Sequence, residues 1–257
     1  MQMKTDGLII RDLNVGEADR IVTILSRDHG VIQASAKGAR RVKSRISTST
    51  RLFCYSDFTF FKGRDMYIID DAQSKEFFLG LDRDLEGLAL AQYLAQLSAL
   101  IAPKEENAEA FLRLMLNSLS FIKSGKKPAG VIKPAFEMRA LSISGYMPDL
   151  VACTGCGAYE AGVMYFDPVN GSLTCGDCET LSKASIAASQ YSKKCRLSKG
   201  ALAALRHIVF SEFEKVFSFT LPAAALFELD EASERYLLCC LDRSIPTLDF
   251  YHSIALK

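Results

Sequence analysis

Short apolar runs separated by polar turns fill the first part of the chain, and this pattern predicts β-structure. Runs over 7–13, 20–26 and 31–36 are rich in Ile, Val and Leu, and the Gly-containing turn between the second and the third predicts a β-hairpin. An aromatic run over 51–61 and a short run over 66–69 follow. Five short strands in about 75 residues predict a small closed or partly closed barrel. An SH3-like barrel fits the same count, and periodicity alone does not separate the alternatives.

Beyond residue 80 the apolar positions recur at helical spacing instead. Asn107 is a candidate cap for the second helix, and Gly145 followed by Pro148 is the expected order of stop signals for the third. The change of pattern predicts an α+β chain, with a β-barrel domain over 1–80 and an α-helical domain over 81–257. The helices are predicted over 88–101, 111–122, 132–143, 198–219 and 231–243.

The composition fits a packed globular protein of the cytoplasm. Hydrophobic residues make up 49% of the chain and charged residues 24%, which excludes a disordered chain. No apolar run approaches the roughly 20 residues that cross a bilayer, and the longest, over 87–102, is interrupted by polar residues. The first residues lack the long apolar region of a signal peptide. We therefore expect a cytoplasmic protein with no membrane partner.

One charged segment stands out because the chain as a whole is almost neutral. Residues 37–45 read KGARRVKSR, and no Asp or Glu occurs between Asp28 and Asp57. The whole chain has 31 Lys and Arg against 30 Asp and Glu, a net charge of +1. Clustered cations repel one another, so a polyanionic partner is the simplest explanation, although a solvated charged loop stays open. The candidate phosphate contacts of this basic segment, residues 37–51, are Lys37, Arg40, Arg41, Lys43, Arg45 and Arg51.

Aromatic residues follow the basic segment directly, at Phe53, Tyr55, Phe58, Phe60 and Phe61. A barrel with a basic groove and aromatic faces is a recurring platform for single-stranded nucleic acid. Most of these side chains must fill the barrel core, which leaves one or two for stacking on bases. The sequence shows no base-reading helix, so we expect binding with little sequence specificity.

Four of the eight cysteines are spaced as in a zinc site, C-x2-C-x18-C-x2-C, at about residues 150–180. Two such turns bring four thiolates to one Zn²⁺ in a tetrahedron with no open position, so the ion would be structural. Two local disulfides are the alternative. We interpret the other cysteines, Cys54, Cys195, Cys239 and Cys240, as buried thiols. The candidate ligands are Cys153, Cys156, Cys175 and Cys178.

The chain contains no common nucleotide-binding or catalytic motif. The patterns G-x4-G-K-[ST], G-x-G-x-x-G and H-E-x-x-H are absent. The histidines, His29, His207 and His252, are scattered, and we interpret His207 as a structural residue on a helix face. Asp70 and Asp71 fit a solvated strand end better than a metal site. These features favour a protein that is not an enzyme.

The order of barrel, basic segment, helices and cysteine element resembles the RecO family of bacterial recombination-mediator and DNA-repair proteins. The likeness is carried by four stretches that together extend over nearly the whole chain. Their combination is far more specific than the cysteine spacing, which would fit many proteins. They read GLIIRDLNVGEADRIVTILSRDHGVIQASAKGARRVKSR, FEMRALSISGYMPDLVACTGCG, YFDPVNGSLTCGDC and ERYLLCCLDRSIPTLDFY.

The resemblance implies an OB fold for the barrel and a role in DNA repair without catalysis. Proteins of this family bind single- and double-stranded DNA and anneal complementary strands. The resemblance also implies that five cations of the basic segment contact phosphates and that the cysteine quartet holds one structural Zn²⁺. The five are Lys37, Arg40, Arg41, Lys43 and Arg45. A DNA-bound protein of this kind would be associated with the nucleoid.

The resemblance further implies protein partners. These are RecR and the C-terminal tail of the single-stranded-DNA-binding protein SSB, with a functional link to RecA and RecF. An acidic tail with an apolar end needs a hydrophobic pocket rimmed by cations, for which Lys199, Arg206 and Lys215 are candidates. Pro246 departs from the family pattern, because a basic residue often occupies that position, so a cationic role there is in doubt.

Two other classes of function fit parts of the pattern. A zinc-containing interaction scaffold could use the basic segment to bind an acidic protein tail instead of DNA. A metal-dependent nuclease is disfavoured, because four cysteines leave zinc no vacant position and no carboxylate-rich site stands out.

Overall fold

A computed structural model of the chain describes residues 2–64, 66–78, 80–81, 84–185 and 194–255. The chain forms two compact units. The first comprises Met1–Lys127 and Ile245–Lys257, and the second comprises Pro128–Ser244. The domain boundary near residue 80 stays a prediction. None of the described helices is both long and apolar enough to cross a bilayer.

The N-terminal strands form a closed barrel with the order β1-β2-β3-β5-β4. Strand β1 closes it, because its second half pairs with β2 and its first half pairs with β4, both antiparallel. The parallel pairing of β3 with β5 completes the topology of an OB fold, which confirms the predicted fold class. The strands are β1 (Gln2–Val15), β2 (Asp19–Ser26), β3 (Gly30–Ala36), β4 (Cys54–Lys62) and β5 (Tyr67–Phe77).

Strands β1 and β5 are longer than the hydrophobic pattern predicts, and β1 extends over Gln2–Val15 rather than 7–13. Strand β5 continues to Phe77 rather than ending at residue 69, although residues 70–77 are mostly polar. Only Ile69 and Ala72 of this strand are buried, so a hydrophobic run does not mark its length. Asp70 and Asp71 accordingly lie exposed within the strand and not after it.

The barrel core is built from alternating strand residues and a pair of stacked rings. The centroids of Phe58 and Phe60 lie 5.4 Å apart, and both side chains are buried. Phe53 is buried outside this core, Tyr55 is half-buried and Phe61 is exposed. Two of the five aromatic residues thus fill the barrel core, fewer than the sequence predicted.

Seven α-helices lie within the described residues. The predicted helix over 198–219 ends early, at Phe210, and a short 3-10 turn over Phe213–Lys215 follows. The guanidinium of Arg139 donates to the carbonyls of Ile208 and Val209, which satisfies the helix end there. Two helices, over Gly176–Ser185 and Pro246–Ala255, were not predicted. The helices are α1 (Leu85–Ile101), α2 (Glu109–Ser124), α3 (Ala129–Ile143), α4 (Gly176–Ser185), α5 (Lys199–Phe210), α6 (Ala223–Leu241) and α7 (Pro246–Ala255).

Helix starts also differ slightly from the sequence prediction. The side chain of Asn107 accepts from the N–H of Glu109, at 3.2 Å, although Ala108 occupies the N-cap position of α2. Helix α6 begins directly after Pro222, eight residues before the predicted start at Glu231, because its first two turns carry little apolar periodicity.

The second unit contains a four-stranded sheet of order β6-β8-β7-β9. Strands β7 and β8 form the expected hairpin, with Asp167 accepting from two backbone N–H groups of the turn. Gly171 in that turn has φ +61, and a Cβ there would lie 2.9 Å from the Tyr236 hydroxyl, so glycine is required. The strands are β6 (Asp149–Cys153), β7 (Met164–Asp167), β8 (Ser172–Cys175) and β9 (Cys195–Leu197).

Candidate metal centre and nucleic-acid interface

The four cysteines of the predicted zinc element come together in the second unit. Their sulfur atoms all lie within 4.8 Å of one another, so the cluster could hold a metal ion. All four thiols are free. One cluster of four sulfurs favours a single shared ion over two local disulfides. The four cysteines are Cys153 at the end of β6, Cys156 in the following turn, Cys175 at the end of β8 and Cys178 in α4.

Glycines shape the first cysteine turn. A Cβ at Gly155 would lie 2.9 Å from the sulfur of Cys178, so only glycine leaves room there. Gly157 has φ +76, which lets the chain reverse, and its N–H donates to the carbonyl of Cys153 at 2.8 Å. These positions fold the turn around the place where an ion would sit.

Backbone N–H groups point at the cysteine sulfurs. The N–H groups of Gly155 and Cys175 donate to the Cys153 sulfur at 3.4 and 3.2 Å. Burial opposes ionisation of the Cys153 thiol, but these donors outweigh it and lower its pKa to about 6. The Cys175 thiol, in contrast, raises the pKa of Cys178 to about 12. A thiol at Cys153 that ionises readily, beside Cys156 and Cys178 thiols with raised pKa values, forms a donor set that a divalent cation would complete.

Arg206 braces the cysteine element from α5. Its guanidinium donates to the carbonyls of Leu150, Val151 and Tyr159, at 2.8, 3.1 and 2.7 Å. It also lies 3.9 Å from the centroid of the Tyr159 ring. Arg206 as a contact for an acidic tail stays a prediction, although three of the five N–H donors of its guanidinium already bind these carbonyls. Of the other candidates, Lys215 pairs with Glu212, whereas Lys199 is exposed.

The basic segment joins β3 to β4 and is folded into turns. Its buried anchors are Ala39 and Ile46, with relative exposures of 0% and 8%. Its six cations are all exposed, and none of them forms an ion pair with an acid in the part of the chain that the structure describes. Between the anchors Val42 is fully exposed. The segment therefore presents its positive charge to solvent from a fixed base.

Contacts with the β1–β2 turn fix one end of the basic segment. The N–H of Gly38 donates to an Asp19 carboxylate oxygen at 2.7 Å, and the N–H of Arg40 donates to the Ala18 carbonyl at 2.9 Å. The Arg40 guanidinium also donates to the Gly16 carbonyl, at 2.8 Å. Arg40 is thus partly structural, unlike its neighbour Arg41.

Arg20, which the sequence pattern did not mark as a functional residue, fixes the other end of the basic segment. Its guanidinium lies beneath the basic segment and donates to the carbonyls of Thr50 and Ser47 at 3.1 and 3.4 Å. A lone cation in a predicted strand gives no signal of this role. Arg51, at the end of the segment, lies 5.5 Å from the centroid of the Phe77 ring.

The remaining candidates have simpler roles. Cys54 and Cys195 are buried as expected, but Cys239 is exposed and Cys240 is half-buried, so the prediction of buried thiols was wrong for Cys239. The Nε2 atom of His207 hydrogen-bonds the Lys215 carbonyl at 2.7 Å, as a structural histidine would. Among the described residues, no second group of three or more potential metal ligands comes together.

Comparisons with known proteins place these features in a family. A family model described as recombination protein O N terminal matches residues 1–78, and one described as recombination protein O C terminal matches residues 82–249. A protein named DNA repair protein RecO from Acetivibrio thermocellus is 36% identical over 253 residues, which are 98% of this chain and 97% of that protein.

Further relatives carry the same name. The protein from Symbiobacterium thermophilum is 30% identical over 252 residues, 97% of this chain and 96% of that protein. The protein from Caldanaerobacter subterraneus subsp. tengcongensis is 29% identical over 250 residues, 96% of each.

Proposed function

Because this chain belongs to the RecO family of DNA repair proteins, we propose that it binds single- and double-stranded DNA and anneals complementary strands. With RecR it would help RecA to load onto DNA that is coated by SSB, in a pathway shared with RecF. In doing so it would bind the C-terminal tail of SSB. It would act in the cytoplasm, at the nucleoid. The observation that carries the proposal is the set of exposed cations on the basic segment, which no acid in the described part of the chain neutralises.

The basic segment supports binding without sequence specificity. Lys and Arg contacts to phosphates release condensed counterions, which gives affinity that falls as salt rises and does not depend on the bases. The anchored base of the segment means that little chain entropy is lost when its cations meet a strand. A barrel with one such surface can follow the backbone of either form of DNA.

Annealing needs charge neutralisation and no covalent chemistry. Two complementary strands repel each other through their phosphates, and a protein that neutralises both lowers the barrier to pairing. A second copy of the protein or another surface would hold the second strand. The chain would accordingly not be an enzyme.

The cysteine cluster fits one structural Zn²⁺, held by Cys153, Cys156, Cys175 and Cys178. Four sulfur donors within 4.8 Å of one another match a tetrahedral thiolate site, and such a site leaves no position for substrate. When bound, the ion would supply folding free energy to the small sheet and no catalytic step. This supports a structural role for the metal.

Strand annealing tests the proposal directly. Two complementary oligonucleotides are mixed with the protein, bare and then coated with SSB, at low and at moderate salt. Acceleration in both cases that weakens with salt is expected. Acceleration of bare DNA alone would contradict the SSB partnership, and no acceleration by a folded, zinc-containing protein would overturn the proposal. A titration against an acidic peptide in place of DNA separates it from an interaction scaffold.

A further inference from the structure

The first unit contains an open cleft of about 820 Å³ beside the barrel. We propose that this cleft holds a base of an unpaired DNA strand whose backbone lies on the basic segment. The inference rests on the proposed function and deepens it, because it assigns the place where bases, and not phosphates, are bound. The cleft has one wall from the sheet β1–β3, one from α1, and a floor between them.

The sheet wall presents a row of polar side chains. Arg11 of β1 lies directly opposite Thr23 of β2, and Thr23 lies directly opposite Gln33 of β3. Residues in such register have side chains about 5 Å apart on one face of the sheet. The row therefore runs across three neighbouring strands, with a cation at one end and an amide at the other.

The helix wall explains why the cleft is open. Gln92, Ala95, Gln96 and Ala99 lie at spacings of three and four along α1, so they share one face of the helix. The two alanines are too small to reach the sheet, and they leave the space unfilled. The larger side chains on this face are two amides, followed by Leu100 at the end of the helix.

The amides of the cleft have hydrogen-bonding capacity to spare. Gln96 accepts from the N–H and the hydroxyl of Thr247, at 3.3 and 2.6 Å. Within the described part of the chain, the side chains of Gln33 and Gln92 form no hydrogen bond. A free amide offers a donor and an acceptor side by side, which is the pattern that the edge of a nucleobase requires.

The floor of the cleft is apolar and includes a strained residue. Val31, Leu52, Phe53 and Leu100 line it, and they would contact the face of a base. Phe53 has φ 59, which costs free energy for an aromatic residue. Its backbone is held by bonds between its N–H and the Ile9 carbonyl, and between its own carbonyl and the N–H of Phe78. Maintained strain of this kind concentrates at binding sites.

Charge and continuity identify the occupant as a strand of nucleic acid. Arg11 and Lys104 rim the cleft, are exposed, and form no ion pair within the described residues. Leu52 follows Arg51 directly, so the cleft begins where the basic segment ends. Asp12 also lines the cleft, but its carboxylate pairs with Arg20, whose Nε lies 3.7 Å away, so the unpaired Arg11 and Lys104 set the charge of the rim.

The test compares an oligo-dT strand with an abasic strand of equal length and charge. Wild-type protein is expected to bind oligo-dT about tenfold more tightly, as a base contact of this kind provides. Gln33→Ala removes the free amide, and Ala99→Phe fills the cleft. Each variant should bind oligo-dT with the affinity that the wild type has for the abasic strand. The salt dependence of DNA binding should not change. The control Gln73→Ala removes an exposed amide from β5, outside the cleft, and should leave the ratio unchanged.

Each result separates this inference from the proposed function. Equal binding of both strands by wild-type protein, or an unchanged ratio in both folded cleft variants, would overturn the inference while DNA binding stands. No DNA binding by wild-type protein would overturn both. If the Ala99→Phe variant no longer binds an acidic peptide but still binds DNA as the wild type does, the cleft would belong to a protein partner instead. Circular dichroism spectra matched to the wild type show that the variants fold.

Discussion

Lys133 and Glu137 lie one turn apart on α3 with Nζ and Oε1 3.2 Å apart, although only 1% and 0% of their side chains are exposed. Asp230 and Glu234 of α6 each place a carboxylate oxygen 2.8 Å from the same Nζ. Burial disfavours the charged form of Lys133, but the three carboxylates outweigh it and raise its pKa. The ammonium group therefore joins α3 to α6 in the interior of the second unit.

Replacing this lysine should strongly destabilise the second unit. In Lys133→Met the buried carboxylates lose their counter-charge, and we expect the free energy of unfolding to fall by about 3–5 kcal/mol. Urea unfolding followed by circular dichroism measures the loss. Lys199→Met, at an exposed lysine, is the matched control and should change it by less than about 0.5 kcal/mol. Equal losses in both variants would contradict a role for the buried network.

Asp6 should make the first unit sensitive to acid. The Arg27 guanidinium donates to both carboxylate oxygens of Asp6 at 2.8 Å, and this lowers the pKa of Asp6 from 3.8 to about 2. Because the folded pKa is below the unfolded one, the contribution, roughly 2 kcal/mol, is present above pH 4 and is lost between pH 4 and pH 2. Asp6→Asn should be less stable than wild type at pH 7, and the difference should shrink toward pH 2.

The sequence predicted features that depend on local pattern. Alternation located the strands β2 and β3, and cysteine spacing located the metal cluster. It could not indicate that Lys133 is buried, because a Lys–Glu pair one turn apart is usually a surface pair. The sequence could not indicate the cleft either. The cleft exists because the small residues Ala95 and Ala99 of α1 face the row of polar side chains on β1–β3 that includes Thr23. Both features depend on contacts between residues distant in sequence.

Removing cations from the basic segment should weaken DNA binding and make the affinity less dependent on salt concentration. Arg41, Lys43 and Arg45 are exposed and can be replaced without touching Arg40, which holds the turn. The triple alanine variant should lower single-strand affinity and reduce the slope of log K against log salt by about 2. Fluorescence anisotropy at several salt concentrations measures both.

The matched control removes the same charge elsewhere. Lys126, Lys199 and Arg243 are exposed and lie outside the basic segment. Their triple alanine variant should leave the slope within about 0.5 of the wild-type value. A change as large as that of the basic-segment variant would show that net charge, and not this surface, governs binding.

Breaking the cysteine cluster should remove the metal and weaken the second unit. Cys175→Ser should lower bound zinc from one ion to none and reduce Tm, since metal binding contributes to folding. Elemental analysis and thermal unfolding measure the two effects. Cys239→Ser changes an exposed cysteine outside the cluster and should alter neither. Full zinc content in Cys175→Ser would rule out a four-thiolate site.

Arg206 should govern how firmly the cysteine element is held. Lysine preserves the charge but lacks the planar fork that reaches these three carbonyls and lies over the Tyr159 ring. Arg206→Lys should therefore release zinc to a chelator several-fold faster than wild type. Absorbance of a chromogenic chelator follows the release. Release at the wild-type rate would mean that the sheet alone holds the element.

A hydrogen bond between the hydroxyl of Thr247 and the amide of Gln96 joins two parts of the first unit that the ribosome synthesises at different times. The barrel strands are finished at residue 77, whereas α7, which packs on α1, is made only with residues 246–255. At ordinary elongation rates the ribosome needs roughly 10–35 s to add the residues between them. Throughout that interval the nascent barrel lacks its last helix, and one side of the cleft lacks Pro246 and Thr247. Completion of the first unit is therefore tied to the synthesis of residues 246–255, and a chain terminated before them would carry an unfinished first unit.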